Sequence, residues 1–350
     1  MTEIRIAVVG AGLIGRHHAA LCTRTPGVRL AALVDPAPAA RALARELGVA
    51  CHDDLDALIA HARPDAAILA TPNALHLPQA LALIAAGIPT LVEKPVAASV
   101  AEAETLAAAA AAAGARVLVG HHRAHSPIMA RARAIVAAGT LGRLVAVAGS
   151  AVFAKPAAYF DDGPWRRAPG GGPILINMIH EVHNLRMLMG EIVEVQALAS
   201  SAVRGFAVED TVALALRFAG GALGTFLLSD TAAGPRSWEQ TARENPSYDA
   251  CDDEDCYVVT GTRGSLGIPT MRLRTYAEGV EPSWWQPLER RVVAIDRADP
   301  LARQLAHFAA VVRGEAAPLV GIADGLANLR VTEAIAAAAR SGAPVRLSPP

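Results

Sequence analysis

The chain has 350 residues, a formal net charge of −1 and a hydrophobic fraction of 53% that is swollen by alanine. That length accommodates two domains with separate cores, and near-neutral charge without a basic stripe excludes nucleic-acid and membrane-surface partners. Apolar runs such as 107–113 read as alanine-rich helices rather than membrane spans, four irregularly spaced cysteines make no disulfide framework, and without a charged leader ahead of an apolar run the expected compartment is the cytoplasm.

Residues 4–15 read Ile-Arg-Ile-Ala-Val-Val-Gly-Ala-Gly-Leu-Ile-Gly. The uninterrupted apolar run 6–9 is the pattern of a buried parallel strand, and it leads into Gly10, Gly12 and Gly15 at the spacing of a dinucleotide cradle. Gly10 permits the turn, Gly12 lets the backbone approach a pyrophosphate, and Gly15 allows the helix to pack closely. Leu13 and Ile14 open that helix, whose first N–H groups are donors for phosphate. Residues 30–34 form a second apolar strand that ends at Asp35, twenty residues beyond Gly15. An acid there accepts hydrogen bonds from a ribose 2′-OH and repels a 2′-phosphate, so the expected cofactor is NAD rather than NADP.

A helix is expected over 39–47, closed by Gly48, and another over 54–61. Strand 66–70 is broken by Thr71-Pro72-Asn73. In an open parallel sheet the ligand lies beyond the carboxyl ends of the strands, which puts Thr71, Asn73 and His76 on the side of the glycine loop. The helix beginning at His76 tolerates Pro78 in its first turn. After strand 90–92 comes Glu93-Lys94-Pro95, which sets an amine beside the expected nicotinamide. Only two lysines, Lys94 and Lys155, stand among the 32 basic residues. A primary amine loses its proton when desolvated and a guanidinium does not, so retained lysines in an arginine-using chain point to a role.

In their order, the glycine triplet, Asp35, Thr71-Pro72-Asn73 with His76, and Glu93-Lys94-Pro95 resemble the Gfo/Idh/MocA family of NAD(P)-dependent oxidoreductases. The resemblance implies an α/β Rossmann domain, here 1–122, followed by an α+β domain with a large, mainly antiparallel sheet, here 123–350. It also implies that Lys94 is the active-site lysine, supported by Glu93, and that the outer face of the second sheet makes a homodimer or homotetramer. A helix over 100–113 and a strand over 116–119 complete the first domain. His121, His122 and His125 lack a cysteine or carboxylate at ligand spacing, so they read as hinge and pocket wall with no metal.

In the second half a helix is expected over 127–138. Strands follow over 144–153, 193–200, 211–218, 222–229, 257–260 and 290–295. Glycines 170–172 suggest a flexible approach to a helix that carries Asn177 and His180 on one face at i, i+3. Members of the family usually carry an aspartate four residues before this histidine; Ile176 stands there, so a partner for His180 must come from elsewhere. Cys251 and Cys256 read as free thiols of a solvated acidic loop. Helices 301–313 and 322–340 match the family's closing helices, and the resemblance is weakest over 232–287.

Oxidation of a secondary alcohol requires a base for the hydroxyl proton. His180 can take it while Lys94 stabilises alkoxide character on the same oxygen, or the roles can be exchanged. Arg123, Lys155, Tyr159, Trp165, Arg166 and Asn177 are the remaining candidate substrate contacts: a point charge and arginine forks for a carboxylate, a flat indole for a sugar ring. The expected substrate is a sugar, cyclitol or related polyol, with a hydroxy acid as the alternative. A glycosidase or lyase with transient oxidation by NAD and a cofactor-binding module without chemistry are the competing classes.

Overall fold

The computed structural model describes residues 3–348, so the first two residues of the range 1–122 and the last two of 123–350 lie outside it. The chain divides into two compact units, one formed by residues 1–125 with 300–329 and the other by 126–299 with 330–350. The division falls after His125, three residues beyond the boundary read from the sequence. The segment 300–329, which that reading gave to the second domain, groups with the first unit.

In the first unit β1 (Ile4–Val9) turns into α1 (Leu13–Cys22), then β2 (Val28–Val34), α2 (Pro38–Glu46), β3 (Ala50–His52), α3 (Leu55–His61), β4 (Ala66–Leu69), α4 (His76–Ala85), β5 (Thr90–Val92), α5 (Val100–Ala113) and β6 (Val117–Val119) follow. The strands form one parallel sheet in the order β3-β2-β1-β4-β5-β6. The chain winds outward from β1 and then returns to start again at β4. Strand direction is uniform, so the turns after β1, β2, β4 and β5 share one edge, where ligands of such sheets lie. Ile6, Val8, Leu33, Ile68, Leu91 and Leu118 are fully buried, each contributing about 1.5–3 kcal/mol of burial. Strand β3 was not legible because it is three residues long at the sheet edge and only half-buried.

Helix termini follow local chemistry. Asp54 caps α3 by accepting the Ala57 N–H at 2.8 Å. Ser99 caps α5 by accepting the Glu102 N–H at 3.2 Å, while the Glu102 carboxylate reaches back past the cap to accept the Ala98 N–H at 3.0 Å, a variant of the capping box.

In the second unit the elements are α6 (Pro127–Ala137), β7 (Leu144–Val152), α7 (Ala157–Asp161), α8 (Ile179–Met189), β8 (Ile192–Ser200), β9 (Thr211–Phe218), β10 (Leu223–Ser229), α9 (Trp238–Ala242), β11 (Tyr257–Gly261), β12 (Gly264–Ile268), β13 (Arg272–Thr275) and β14 (Glu289–Val292). The chain ends in α10 (Pro300–Arg313), α11 (Ile322–Ser341) and β15 (Val345–Arg346); α10 belongs to the first unit, and the division passes through α11. The nine strands β7–β15 form one sheet in the order β14-β13-β12-β11-β7-β10-β9-β8-β15, antiparallel apart from the β10–β7 pair. Alternation is strict along β9: Val212, Leu214, Leu216 and Phe218 are buried and the residues between them face outward.

The sequence did not disclose β12, β13 or β15. Two glycines dilute the apolar pattern of β12, arginines occupy alternate positions of β13, and β15 is two residues long. A second departure lies before α8. Residues Ile174–Met178 form a single π turn, so the expected continuous α-helical face through Asn177 and His180 is interrupted by a widened turn. Gly171 and Gly172 are also not a flexible lead-in. A Cβ at Gly171 would stand 2.3 Å from the Trp165 carbonyl oxygen and one at Gly172 2.4 Å from the Glu209 carboxylate. Both glycines are places of close packing.

Candidate functional site

One group of candidate residues lies at the strand-end edge of the parallel sheet. Gly10 adopts φ +93°, and a Cβ there would meet the Ala70 carbonyl oxygen at 2.6 Å. At Gly15 a Cβ would fall 1.9 Å from the Gly10 carbonyl oxygen, whereas at Gly12 it would meet no protein atom within 4 Å. Two glycines are thus demanded by the fold, and the third leaves open space where the backbone faces outward. Leu13, exposed, and Ile14 start α1, whose first N–H groups lack helical acceptors. Asp35 ends β2 with Oδ2 accepting the Ala11 N–H at 2.8 Å and Oδ1 accepting the Ala37 N–H at 2.9 Å. Each carboxylate oxygen has a second lone pair for a ribose hydroxyl. These residues fit a dinucleotide: an open N–H cradle, a glycine gap for the pyrophosphate and an acid fixed beside the loop.

An Asp35→Ser protein is expected to bind NADH about tenfold or more weakly, since a charge-assisted hydrogen bond contributes roughly 1.5–3 kcal/mol. Its NADPH affinity should rise as the like-charge repulsion goes. Fluorescence titration with both nucleotides checks this.

Thr71, Asn73 and His76 follow β4 on the same edge. The Thr71 hydroxyl donates to Gln79 Oε1 at 2.7 Å. His76 is 1% exposed, with Nδ1 2.8 Å from the Pro95 carbonyl oxygen and Nε2 2.9 Å from that of Thr71. Burial holds this imidazole below its usual range against the pull of the two carbonyls. The ring therefore ties the turn after β4 to the turn after β5. Glu93 follows β5 and is buried; its Oε2 accepts the Lys94 N–H at 3.1 Å and its Oε1 lies 2.8 Å from His18 Nε2. His18 was missed in the sequence, where its position three residues beyond Gly15 was the available signal. Of the three histidines after β6, His121 pairs through Nε2 with Asn328 Nδ2 at 3.1 Å, and the His125 ring packs 5.1 Å from that of His307. Arg123 is buried in this first unit.

A second group lies wholly in the other unit. Lys155, just beyond β7, places Nζ 2.7 Å from Asn177 Oδ1 and 3.3 Å from Asp230 Oδ2. The amine also lies 4.8 Å over the Tyr159 ring, which the Arg166 guanidinium covers from 3.9 Å. Arg204 Nε donates to Asp230 Oδ1 at 2.9 Å. Five of the residues singled out in the sequence (Lys155, Tyr159, Trp165, Arg166 and Asn177) thus form one contiguous cluster, with Trp165 54% exposed at its rim. The Lys155 ammonium is pulled down to about 8, chiefly by desolvation, with Asp230 opposing and Arg204 and Arg166 adding to the fall. Asp230, Arg204 and Glu209 carried no signal in the sequence, because their partners are distant in the chain. Glu209 accepts the Ile174 N–H at 2.8 Å and so anchors the π turn; burial raises its carboxyl despite that bond.

His180 lies in the first turn of α8 and is 8% exposed. Next to it Glu181 is buried and accepts the Tyr257 hydroxyl, which in turn receives the Asn184 amide at 3.0 Å. Cys256, read as solvated, is instead buried against the Thr241 hydroxyl.

The parallel sheet with its glycine cradle and the nine-stranded sheet behind α8 define a two-unit oxidoreductase architecture, and the chain belongs to the Gfo/Idh/MocA family. Residues 4–121 match the oxidoreductase family with an NAD-binding Rossmann fold and residues 129–267 match the GFO/IDH/MocA C-terminal domain. The chain is 28% identical to the rhizopine catabolism protein MocA of Rhizobium meliloti over 95% of this chain and 94% of that one. It is 28% identical to inositol 2-dehydrogenase of Rubrobacter xylanophilus over 99% and 95%. Among solved structures, an aldose-aldose oxidoreductase from Caulobacter crescentus complexed with glycerol superimposes with a TM-score of 0.78 at 26% identity, covering 99% of this chain and all of that one.

Proposed function

We propose that the protein is an NAD-dependent dehydrogenase that oxidises a secondary alcohol of a sugar, cyclitol or related polyhydroxy compound, or reduces the ketone. The observation that carries this reading is the retained amine of Lys94 at the strand-end edge that also holds the glycine cradle and Asp35. Bound NAD supplies the hydride acceptor. Gly10, Gly12, Leu13, Ile14, Gly15 and Asp35 would hold it, with Thr71, Asn73, His76 and Glu93 shaping the neighbouring turns. His180 takes the hydroxyl proton, and the Lys94 ammonium hydrogen-bonds the same oxygen as negative charge grows there. Lys155, Asn177, Tyr159, Trp165 and Arg166 orient the substrate, the indole face lying along a sugar ring; Arg123 belongs to the same contact set. The relatives named as inositol dehydrogenase and aldose-aldose oxidoreductase support a polyol or sugar.

The cationic surplus of Lys155, Arg166 and Arg204 over Asp230 favours a second reading, in which the polyhydroxy substrate carries a carboxylate. The sign is testable. Lys155 is protonated below about 8 and loses its charge above it, so KM for an acidic substrate should rise above that pH while KM for a neutral polyol should not. NADH formation measured spectrophotometrically with inositols, aldoses and sugar acids decides between them. Net NADH formation from none of these would favour a lyase or glycosidase that oxidises transiently.

A cytoplasmic homodimer or homotetramer belongs to the same reading. Leu198, Leu223, Leu227 and Val258 are exposed on the outward face of the nine-stranded sheet, which a second copy would cover. Four free cysteines fit a reducing compartment. Among the described residues no helix is long and apolar enough to cross a membrane.

A further inference from the structure

His18, the buried partner of Glu93 in the first unit, has no part in the chemistry above. His18 Nε2 lies 2.8 Å from Glu93 Oε1, with His18 fully buried and Glu93 6% exposed. Removing an imidazole and a carboxylate from water costs several kcal/mol unless each satisfies the other. An ionised carboxylate only accepts, so the contact fixes His18 with its proton on Nε2. His18 Nδ1 makes no hydrogen bond among the described residues. The other oxygen of the same carboxylate accepts the backbone N–H of Lys94 at 3.1 Å.

The seat of Glu93 is shaped for this side chain. At Gly120, just beyond β6, a Cβ would stand 2.8 Å from Glu93 Oε2 and Cδ and 2.9 Å from its Cα, so any side chain there would expel the carboxylate. Burial alone would push the Glu93 carboxyl up; the hydrogen bond from His18 and the basic neighbours His122 and Lys94 outweigh it and hold the group below its usual range.

We infer that His18 is a positioning residue for the Lys94 amine: it donates to one oxygen of Glu93, and the other oxygen fixes the Lys94 backbone. A side chain on the helix that opens at the phosphate cradle thereby sets the direction and charge environment of the amine. The inference rests on the reading of Lys94 as the working amine. Gln79, Thr71 and His76 form a separate set of contacts around the neighbouring turn and do not touch this carboxylate oxygen pair.

Only two lysines occur in the chain, so the full-length protein labelled with 13Cε-lysine gives two side-chain signals, assigned with a Lys155→Arg variant. In His18→Ala the Lys94 signal should move, and its titration should show an added inflection as Glu93, having lost its donor, takes up a proton at higher pH. The Lys155 signal should stay in place. His18→Gln, whose amide can donate to the carboxylate, should return the Lys94 signal toward its original position, and NADH binding followed by fluorescence should survive in both variants. An unmoved Lys94 signal in His18→Ala, or one displaced equally in His18→Gln, overturns the inference. Should His18→Ala not fold, 15N-histidine spectra of the unaltered protein carry the test: proton on Nε2 of His18 supports it and proton on Nδ1 refutes it. Failure of the parent reading looks different, because Lys94→Ala would then leave turnover intact whatever the His18 spectra show.

Discussion

Lys94→Ala is expected to lower kcat by about two to four orders of magnitude, the range for removing a positioned acid–base or electrostatic group. NADH affinity should change little, because the cradle and Asp35 hold the nucleotide from other strand ends. The thermal unfolding midpoint should also hold, since Lys94 is only half-buried and the Glu93 hydrogen bond to its backbone N–H survives the substitution. Lys94→Arg should not rescue. A guanidinium is wider, directs its donors in a plane and cannot give up a proton at working pH. The chain places arginine at thirty of its 32 Lys and Arg positions, so arginine's failure at this position would show that the amine itself is required. Steady-state kinetics with nucleotide titration of the same preparations checks both halves; retained turnover in Lys94→Ala would remove the proposed chemistry.

A pair of glycine variants should separate folding from binding. Gly15→Ala introduces a methyl 1.9 Å from the Gly10 carbonyl oxygen, and the obstacle is backbone that cannot swing aside. The loop or the helix must shift, at a cost on the order of 1–3 kcal/mol as for other overpacked sites, and NADH binding should be lost with it. Gly12→Ala is the contrast. Its new methyl meets no protein atom within 4 Å, and φ is −69° there, which any residue adopts. Its stability should stay within about 0.5 kcal/mol, as for substitutions that strain nothing, while NADH affinity falls about a hundredfold because the methyl occupies the approach of the pyrophosphate. Chemical unfolding and fluorescence titration together read the two effects. Equal loss of stability in both variants would mean that the cradle is only a structural turn.

The first unit was legible because its information is local. Apolar runs of four or five residues end in Gly10, Asp35 and Thr71, a shorter one ends in Glu93, and a parallel sheet brings successive strand ends to one edge whatever lies between. The second unit disclosed its long strands for the same reason, through period-two alternation. What escaped depends on distance along the chain. Asp230 and Arg204 reach Lys155 only after β7 and β10 pair, and His18 acquires its meaning only when β5 brings Glu93 over α1. The π turn at Ile174–Met178 was equally invisible, since nothing in five apolar and amide residues distinguishes it from one more α turn. Gly171 and Gly172 were misread as a flexible entry to the helix because a glycine that yields to a neighbour looks, in sequence, like one that supplies freedom.

The central claim is that Lys94 and His180 act on one reacting oxygen, and a double-mutant cycle on kcat tests it most directly. Groups that share a transition-state atom are strongly non-additive, because removing either spoils the step the other serves. Lys94→Ala, His180→Ala and the double variant, assayed with the polyol that the NADH screen identifies, should give a double variant about as slow as the slower single one. A double variant slowed by the full product of the two single losses would place the two side chains in independent roles and contradict the account.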